Sequence, residues 1–445
     1  VTVPFWIAFQ NYMKRQSSIW TRQDFLSVLV NMTDPKLFED LDSPQSRAVD
    51  FILNDDALQL PPMSGNLIQR YALIVFYHSL GGDSWRFQSA DWTVVSAENQ
   101  VHECEWDFVT CKYGHVIKLK MEEQVASGAL PAEIGLLSNL QVLSMFKCRL
   151  EGTLPNSLYE LALLETLNLG ENILESTIST KIGDLVNLER LDLHGNMLNG
   201  TIPSNIESLE NLETLIVSNN YFDGTIPLAI GQLSRLGYLD LDSNKLVGSL
   251  PANLGELTRL TYLSLHSNMI EGPIPSSLGL LTELRVMDMD DNALSGTFPI
   301  EIGNLVKLTT IGLSFNKIGG TLPASLGNLN VLKRLTVVGN LLIGTIPTEL
   351  EGLTKLTHLS ANLNDLTGTI PTHMGRMLSL NQVFLEGNAL TGTIPSELSQ
   401  LTKLDQLLLQ LNGLVGPEPK EMCSLKIKKY EADCTIKCGC CTWCY

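Results

Sequence analysis

Five aspartates (Asp240, Asp242, Asp288, Asp290 and Asp291), two histidines (His194 and His266) and two tyrosines (Tyr238 and Tyr262) stand at fixed offsets from a recurring asparagine. Two residues before such an Asn come His194, Asp242, His266 and Asp290; four before come Asp240 and Asp288; six before come Tyr238 and Tyr262. Asp291 directly precedes Asn292. A carboxylate can hold a basic group or a hard cation, a tyrosine pairs a flat apolar ring with a hydroxyl, and an imidazole changes charge near neutral pH. Carboxylates on adjacent strands repel one another unless a cation or a partner compensates. Three readings of this set compete: a solvated face that keeps the chain soluble, a recognition surface for a basic or hydroxyl-rich ligand, and a calcium site. Calcium is the weakest, because no EF-hand-type loop is present. His194 and His266 lie three coils apart, too far to share one ion. The nine residues are therefore read as ligand-binding, with no metal and no cofactor assigned.

Chemistry of the catalytic kind is not expected. The chain holds no G-x-S-x-G, no H-E-x-x-H and no phosphate-cradling G-x-x-x-x-G-K, so the expectation is a non-enzyme. Its 30 Lys+Arg against 48 Asp+Glu give a formal net charge of −18. That balance argues against nucleic acid, whose phosphates need clustered cations. No uninterrupted apolar run reaches the ~20 residues of a membrane helix.

The elements that position those side chains follow from the repeat. Asn returns every 24 residues from Asn172 to Asn412, eleven times, and the same spacing continues back to Cys148 and Gln124. Around each lies L-x-x-L-x-L-x-x-N-x-L-x-G-x-I-P, as in Leu188 to Pro203. In L-x-L the leucines share one face of a strand and point into the core, while the x residues point out. The Asn amide can both donate and accept, and so can satisfy backbone groups of neighbouring coils. Gly permits the next turn and Pro fixes φ beyond it, leading into a short helical turn such as the one after Pro251. No coil buries its leucines alone, so stacking makes the fold. The expectation is an α/β solenoid, a right-handed horseshoe or superhelix of about 13 coils with a parallel concave sheet, about 60 Å long at strand spacing. One coil departs, with Ser176 and Ser179 where Gly and Pro are due. Toward the C-terminal end, Phe315, Val338, Leu363, Phe384, Leu408 and Leu411 form an apolar patch on the same face.

The nine cysteines are unevenly placed: Cys104 with Cys111, Cys148 alone, and Cys423, Cys434, Cys438, Cys440, Cys441 and Cys444 crowded at the end. Paired clusters at the two ends suit an oxidising compartment. The sequons at Asn31 and Asn199 agree with glycosylation and secretion. The six C-terminal cysteines allow fifteen pairings, among which sequence does not choose; zinc on Cys438, Cys441 and Cys444 is the alternative to a disulfide cap. Cys148, in an Asn position, is expected as a buried free thiol. The chain opens at Val1 without a leader, so a processed or truncated N-terminus is expected.

The G-x-I-P form of the 24-residue repeat resembles the plant-type leucine-rich-repeat family of receptor ectodomains and secreted inhibitors. Cys104-Glu-Trp-Asp-Phe-Val-Thr-Cys111 is similar to that family's N-terminal cap, C-x-W-x-G-V-x-C, with Phe108 in place of the usual Gly. The leader from Leu67 through Trp85 and the closing Ala432 to Cys444 look like the stramenopile, diatom-like branch. The resemblance covers residues 67–445 and implies a cap with a Cys104/Cys111 disulfide over 67–115, a solenoid over 116–422 and a Cys-rich cap over 423–445; residues 1–66 lack the repeat and are read as a helical N-terminal extension. Apolar spacing predicts helices in Trp20–Leu29, Arg47–Leu53 and 67–80, covering the open first coil. Recognition of a protein, peptide or glycan, in a secreted or cell-surface setting, is the function implied. A structural role by self-association or in an extracellular matrix, and enzyme inhibition, are the alternatives.

Overall fold

The computed structural model describes residues 20–85 apart from 57, 59 and 63, residue 92, and residues 102–444 apart from 434. The chain divides at Asn199/Gly200 into two compact units.

In the first unit, helix α1 (Arg22–Leu29) opens with a capping box: the Thr21 hydroxyl accepts from the Asp24 N–H and the Asp24 carboxylate accepts from Thr21. Helix α2 (Pro44–Asn54) starts earlier than its apolar spacing predicts. Ser43 caps it by accepting from the Ser46 N–H, and Pro44 occupies the first turn, where no N–H is needed. Helix α3 (Gly65–Ser79) is buried along nearly all of Leu67 to Tyr77. It packs on α2 and on the 3-10 turn Ala132–Leu136 of the first coil. Polar side chains seal this contact. Gln69 accepts from the Val116 N–H at 2.7 Å and donates to Glu103 at 2.8 Å, and Gln45 donates to Glu133 at 3.2 Å.

At the centre, Arg70 reaches Asp56 at 2.5 and 2.8 Å and Glu103 at 3.0 Å, and its guanidinium lies 4.8 Å over the Trp106 ring. All three charged groups are buried. Trp85, Trp92 and Trp106 cluster beside them, with ring centroids 5.2 and 4.9 Å apart. Cys104 and Cys111 form the disulfide implied by the family cap. Phe108, in the glycine position of that motif, still takes the left-handed φ of 69°. Its ring packs edge-on to Trp85, so the backbone shape survives with a bulky residue carrying it.

Strand β1 (Val109–Lys112) pairs antiparallel with β2 (His115–Lys120). From β2 the sheet runs parallel through β3 (Val142–Ser144), β4 (Thr166–Asn168) and β5 (Arg190–Asp192). Every residue pairs with the one 24 later, so Leu119, Leu143, Leu167 and Leu191 form one buried row. In the departing coil, Ser179 replaces Pro but caps the next 3-10 turn, accepting from the Lys181 N–H. Cys148 is a buried free thiol, as expected. It donates to the Met121 carbonyl at 3.0 Å, and burial pushes its pKa up to about 11.

The second unit repeats this plan. Its strands are β6 (Thr214–Ile216), β7 (Tyr238–Asp240), β8 (Tyr262–Ser264), β9 (Val286–Asp288), β10 (Thr310–Gly312), β11 (Arg334–Thr336), β12 (His358–Ser360), β13 (Gln382–Phe384), β14 (Gln406–Leu408), β15 (Lys429–Ala432) and β16 (Trp443–Cys444). All pair in parallel, and the middle residues from Leu215 to Leu407 form the core row. After the Pro that closes each repeat comes a 3-10 turn, five residues long as in Ala252–Glu256 and six long after Pro419. The Asn column is buried to half-buried and hydrogen-bonded to backbone on both sides, as in Asn268, which donates to Leu241 and Leu265 and accepts from the Leu246 N–H. At the C-terminal end the disulfides are Cys423–Cys440 and Cys438–Cys441. Joining Cys438 to Cys441 removes the thiolate pair that the zinc alternative needed. Cys434 and the side chain of Cys444 lie outside the described residues.

Candidate functional site

Strand alternation turns the x residues of each L-x-L outward, and pairing at a 24-residue offset lines them up across neighbouring coils. Tyr238 and Tyr262 are register partners in β7 and β8. Their rings lie parallel within 2° at a centroid distance of 4.1 Å. Burial, followed by the neighbouring Tyr262 hydroxyl and the charges of Asp240 and Asp242, holds the Tyr238 hydroxyl well above its ordinary pKa, so it stays a neutral donor.

The aspartates take up a local turn that their spacing makes possible. Asp240 Oδ1 accepts from the Asp242 N–H at 3.2 Å, and Asp288 Oδ1 accepts from the Asp290 N–H at 3.2 Å. An Asp side chain readily reaches the backbone two residues on. Asp290 Oδ1 also accepts from the Ser314 N–H at 2.5 Å. Ser267 Oγ donates to Asp291 at 3.0 Å and lies 3.0 Å from His266 Nε2. Among the described residues, none of these five aspartates forms an ion pair with lysine or arginine.

Burial, reinforced by the neighbouring Asp242, raises the Asp240 carboxyl to about 7. The folded state therefore keeps this proton up to about pH 7, whereas an ordinary aspartate releases it near 3.8. Folding takes up a proton between those values, so stability falls as pH rises through that window and levels off above it. Asp240→Asn keeps a hydrogen-bonding partner for Asp242 without the charge. We expect it to gain about 1–2 kcal/mol at pH 8, with the gain shrinking toward pH 4. Thermal unfolding of both proteins from pH 4 to 8.5 checks this; a pH-independent difference would reject it.

His194 lies in the first unit, and there it is already engaged. Its Nδ1 is 2.6 Å from Asp192 Oδ1, and its Nε2 is 3.6 Å from Glu171. Arg190 donates to the other Asp192 oxygen at 2.7 Å. Burial pushes the Asp192 carboxyl up, but His194 and Arg190 outweigh it and hold the pKa below the ordinary value. Asp192 and Arg190 belong to the same columns, yet composition alone did not single them out. The D-x-H spacing is the sequence sign that could have done so. Both sequon residues, Asn31 and Asn199, are exposed. Of the apolar patch, Phe315, Leu363 and Leu411 are exposed, and Leu408 is buried.

Residues 175–299 match a family described as a leucine-rich repeat region, and residues 139–161 and 307–329 match the Leucine Rich Repeat itself. A leucine-rich-repeat protein of Leptospira interrogans is 33% identical over 69% of this chain and 76% of its own, with a TM-score of 0.59. The chain belongs to the leucine-rich-repeat proteins. This leucine-rich-repeat chain is also 33% identical to the plant peptide hormone receptor RGFR1 in complex with RGF2, over 74% of this chain and 61% of that one, at a TM-score of 0.66. The Arabidopsis receptor kinase HAESA, solved with a peptide hormone and a co-receptor, is 31% identical over 86% and 62%, at a TM-score of 0.70. The chain thus spans less than two thirds of either plant receptor structure. No curated protein matches the sequence. Among the described residues, no helix is long and apolar enough to cross a membrane.

Proposed function

We propose that this chain is a non-enzymatic extracellular recognition protein that binds a basic, hydroxyl-bearing partner, a protein or peptide segment or a glycan, on the strand face of its second unit. The observation that carries the reading is the stacked Tyr238–Tyr262 pair beside carboxylates that, among the described residues, form no ion pair with lysine or arginine. An aromatic platform flanked by carboxylates suits a guanidinium or ammonium group, which can lie on the rings and pair at the edge. Support also comes from the plant structures it is similar to, which were solved with peptide hormones. The disulfides at Cys104–Cys111, Cys423–Cys440 and Cys438–Cys441 support an oxidising, extracellular setting.

The test compares wild type with Tyr238→Ala/Asp240→Asn/Asp242→Asn in pull-downs from the native extracellular fraction. A partner held by wild type and lost at least tenfold by the folded triple variant supports this face. Equal retention by both rejects it and favours contacts through the caps or lateral surfaces, as in a scaffold.

A further inference from the structure

On the strand face of the second unit, one place brings unlike donors together. His266 follows β8, Asp288 ends β9, and Asp290 lies two residues beyond it. A ring nitrogen of His266 and one carboxylate oxygen from each aspartate all lie within 4.8 Å of one another. His266 Nδ1 is shielded from solvent and has no hydrogen-bond partner. A shielded ring nitrogen left without a partner is unfavourable unless something takes up its lone pair or its proton.

The space around these donors is kept open by Gly312 in the next strand. A Cβ there would stand 2.7 Å from Asp288 Oδ1 and 3.0 Å from Asp290 Oδ1. Backbone N–H groups of Asp290 and Ser314 hold the two carboxylates in orientation, as supporting groups around metal ligands commonly do. The first unit supplies an internal contrast. There, Asp192 and His194 sit over Gly170 in a similar way, but Arg190 neutralises the aspartate. In the two coils that carry His266, Asp288 and Asp290, the residues six before the Asn are Tyr262 and Val286, neither of them an arginine.

We propose that His266, Asp288 and Asp290 bind one divalent transition cation of the zinc class. One imidazole nitrogen and two carboxylate oxygens suit zinc, whereas calcium takes six to eight oxygens. Three protein ligands leave a coordination position for water or for an oxygen of a bound partner. The site goes beyond the proposed recognition role, and its metal can be measured with no partner present.

The experiment titrates the full chain, freed of metal by chelation and dialysis, with zinc by calorimetry and with cobalt by absorption. The expected result is one zinc per chain, weakened at least tenfold by His266→Gln, by Asp290→Asn and by Gly312→Ala, which removes no ligand. Asp192→Asn/His194→Gln should bind as wild type does. So should Tyr238→Ala/Asp240→Asn/Asp242→Asn, which separates this site from the partner-binding reading. Cobalt bound without a thiolate charge-transfer band excludes the cysteines. Wild type that takes up no zinc, His266→Gln that binds as wild type, or a thiolate band at saturation would each overturn the proposal. Far-UV circular dichroism confirms that the variants are folded.

Discussion

Replacing Arg70 with methionine is expected to destabilise the first unit by about 3–5 kcal/mol, the range for removing one partner of a buried ionic group. Arg70, Asp56 and Glu103 are 4%, 4% and 0% exposed, so Asp56 would be left with neither solvent nor a cation, and Glu103 with the His102 ring at 3.6 Å in place of a guanidinium. Gln69 donates to Glu103 at 2.8 Å, and the Leu58 N–H donates to Asp56 at 3.0 Å, but neither carries a charge. Methionine retains most of the packing against Trp106, which isolates the loss of the charge. Arg70→Lys should recover only part, because a single ammonium cannot reproduce the forked contacts to two carboxylates. Arg22→Met, which breaks the partly exposed pair with Asp50, should cost under about 1 kcal/mol. Five of the six tryptophans lie at or before Trp106, so urea unfolding followed by tryptophan fluorescence reads this unit. A loss below 1 kcal/mol for Arg70→Met would show that the trio does not stabilise the cap.

That trio also marks where sequence reading stops. The 24-residue spacing contains the sheet register outright, because pairing at that offset and side-chain alternation turn position into arithmetic. Tyr238 opposite Tyr262 and Asp288 opposite Gly312 follow from subtraction. Nothing periodic links Asp56, Arg70 and Glu103. The start of α2 at Pro44 was equally hidden, since caps are polar and apolar spacing does not register them. At the site, the columns brought His266, Asp288 and Asp290 to one face but assigned them no metal. What the sequence lacks there is direction: whether a ring nitrogen finds a partner, and whether a glycine in the next coil leaves room. His194 shows the same limit, for its column suggested a free ligand-binding group, whereas Asp192 and Glu171 hold it.

Removing one rung of the asparagine ladder should show how the solenoid itself is held. Asn340 is 7% exposed. Its Oδ1 accepts from the Ile318 N–H at 3.0 Å, and its Nδ2 donates to the carbonyls of Leu313 at 2.8 Å, Val338 at 3.2 Å and Val337 at 3.3 Å. Asn340→Ala leaves a buried donor and buried acceptors without partners, and we expect a loss of about 2–4 kcal/mol. Asn304→Ala, at the exposed last residue of a 3-10 turn, should change stability by less than about 0.5 kcal/mol. Asn340→Asp separates shape from hydrogen bonding. As a carboxylate it can accept from Ile318 but has nothing to donate, so its deficit should exceed that of alanine at pH 8 and shrink toward pH 4, where a protonated carboxyl regains one donor. Cys148 shows why the donor half matters. Its thiol donates to Met121, as Asn172 Nδ2 donates to Met145 one coil on. The Ala126 N–H, left without a side-chain acceptor there, turns to the Cys148 carbonyl at 3.1 Å. A thiol with a shifted backbone bond thus serves at this early coil. At Asn340, with three carbonyls waiting on one amide, alanine offers no such substitute. Equal unfolding midpoints for Asn340→Ala and wild type in urea, followed by far-UV circular dichroism, would mean that leucine packing alone sustains the stack.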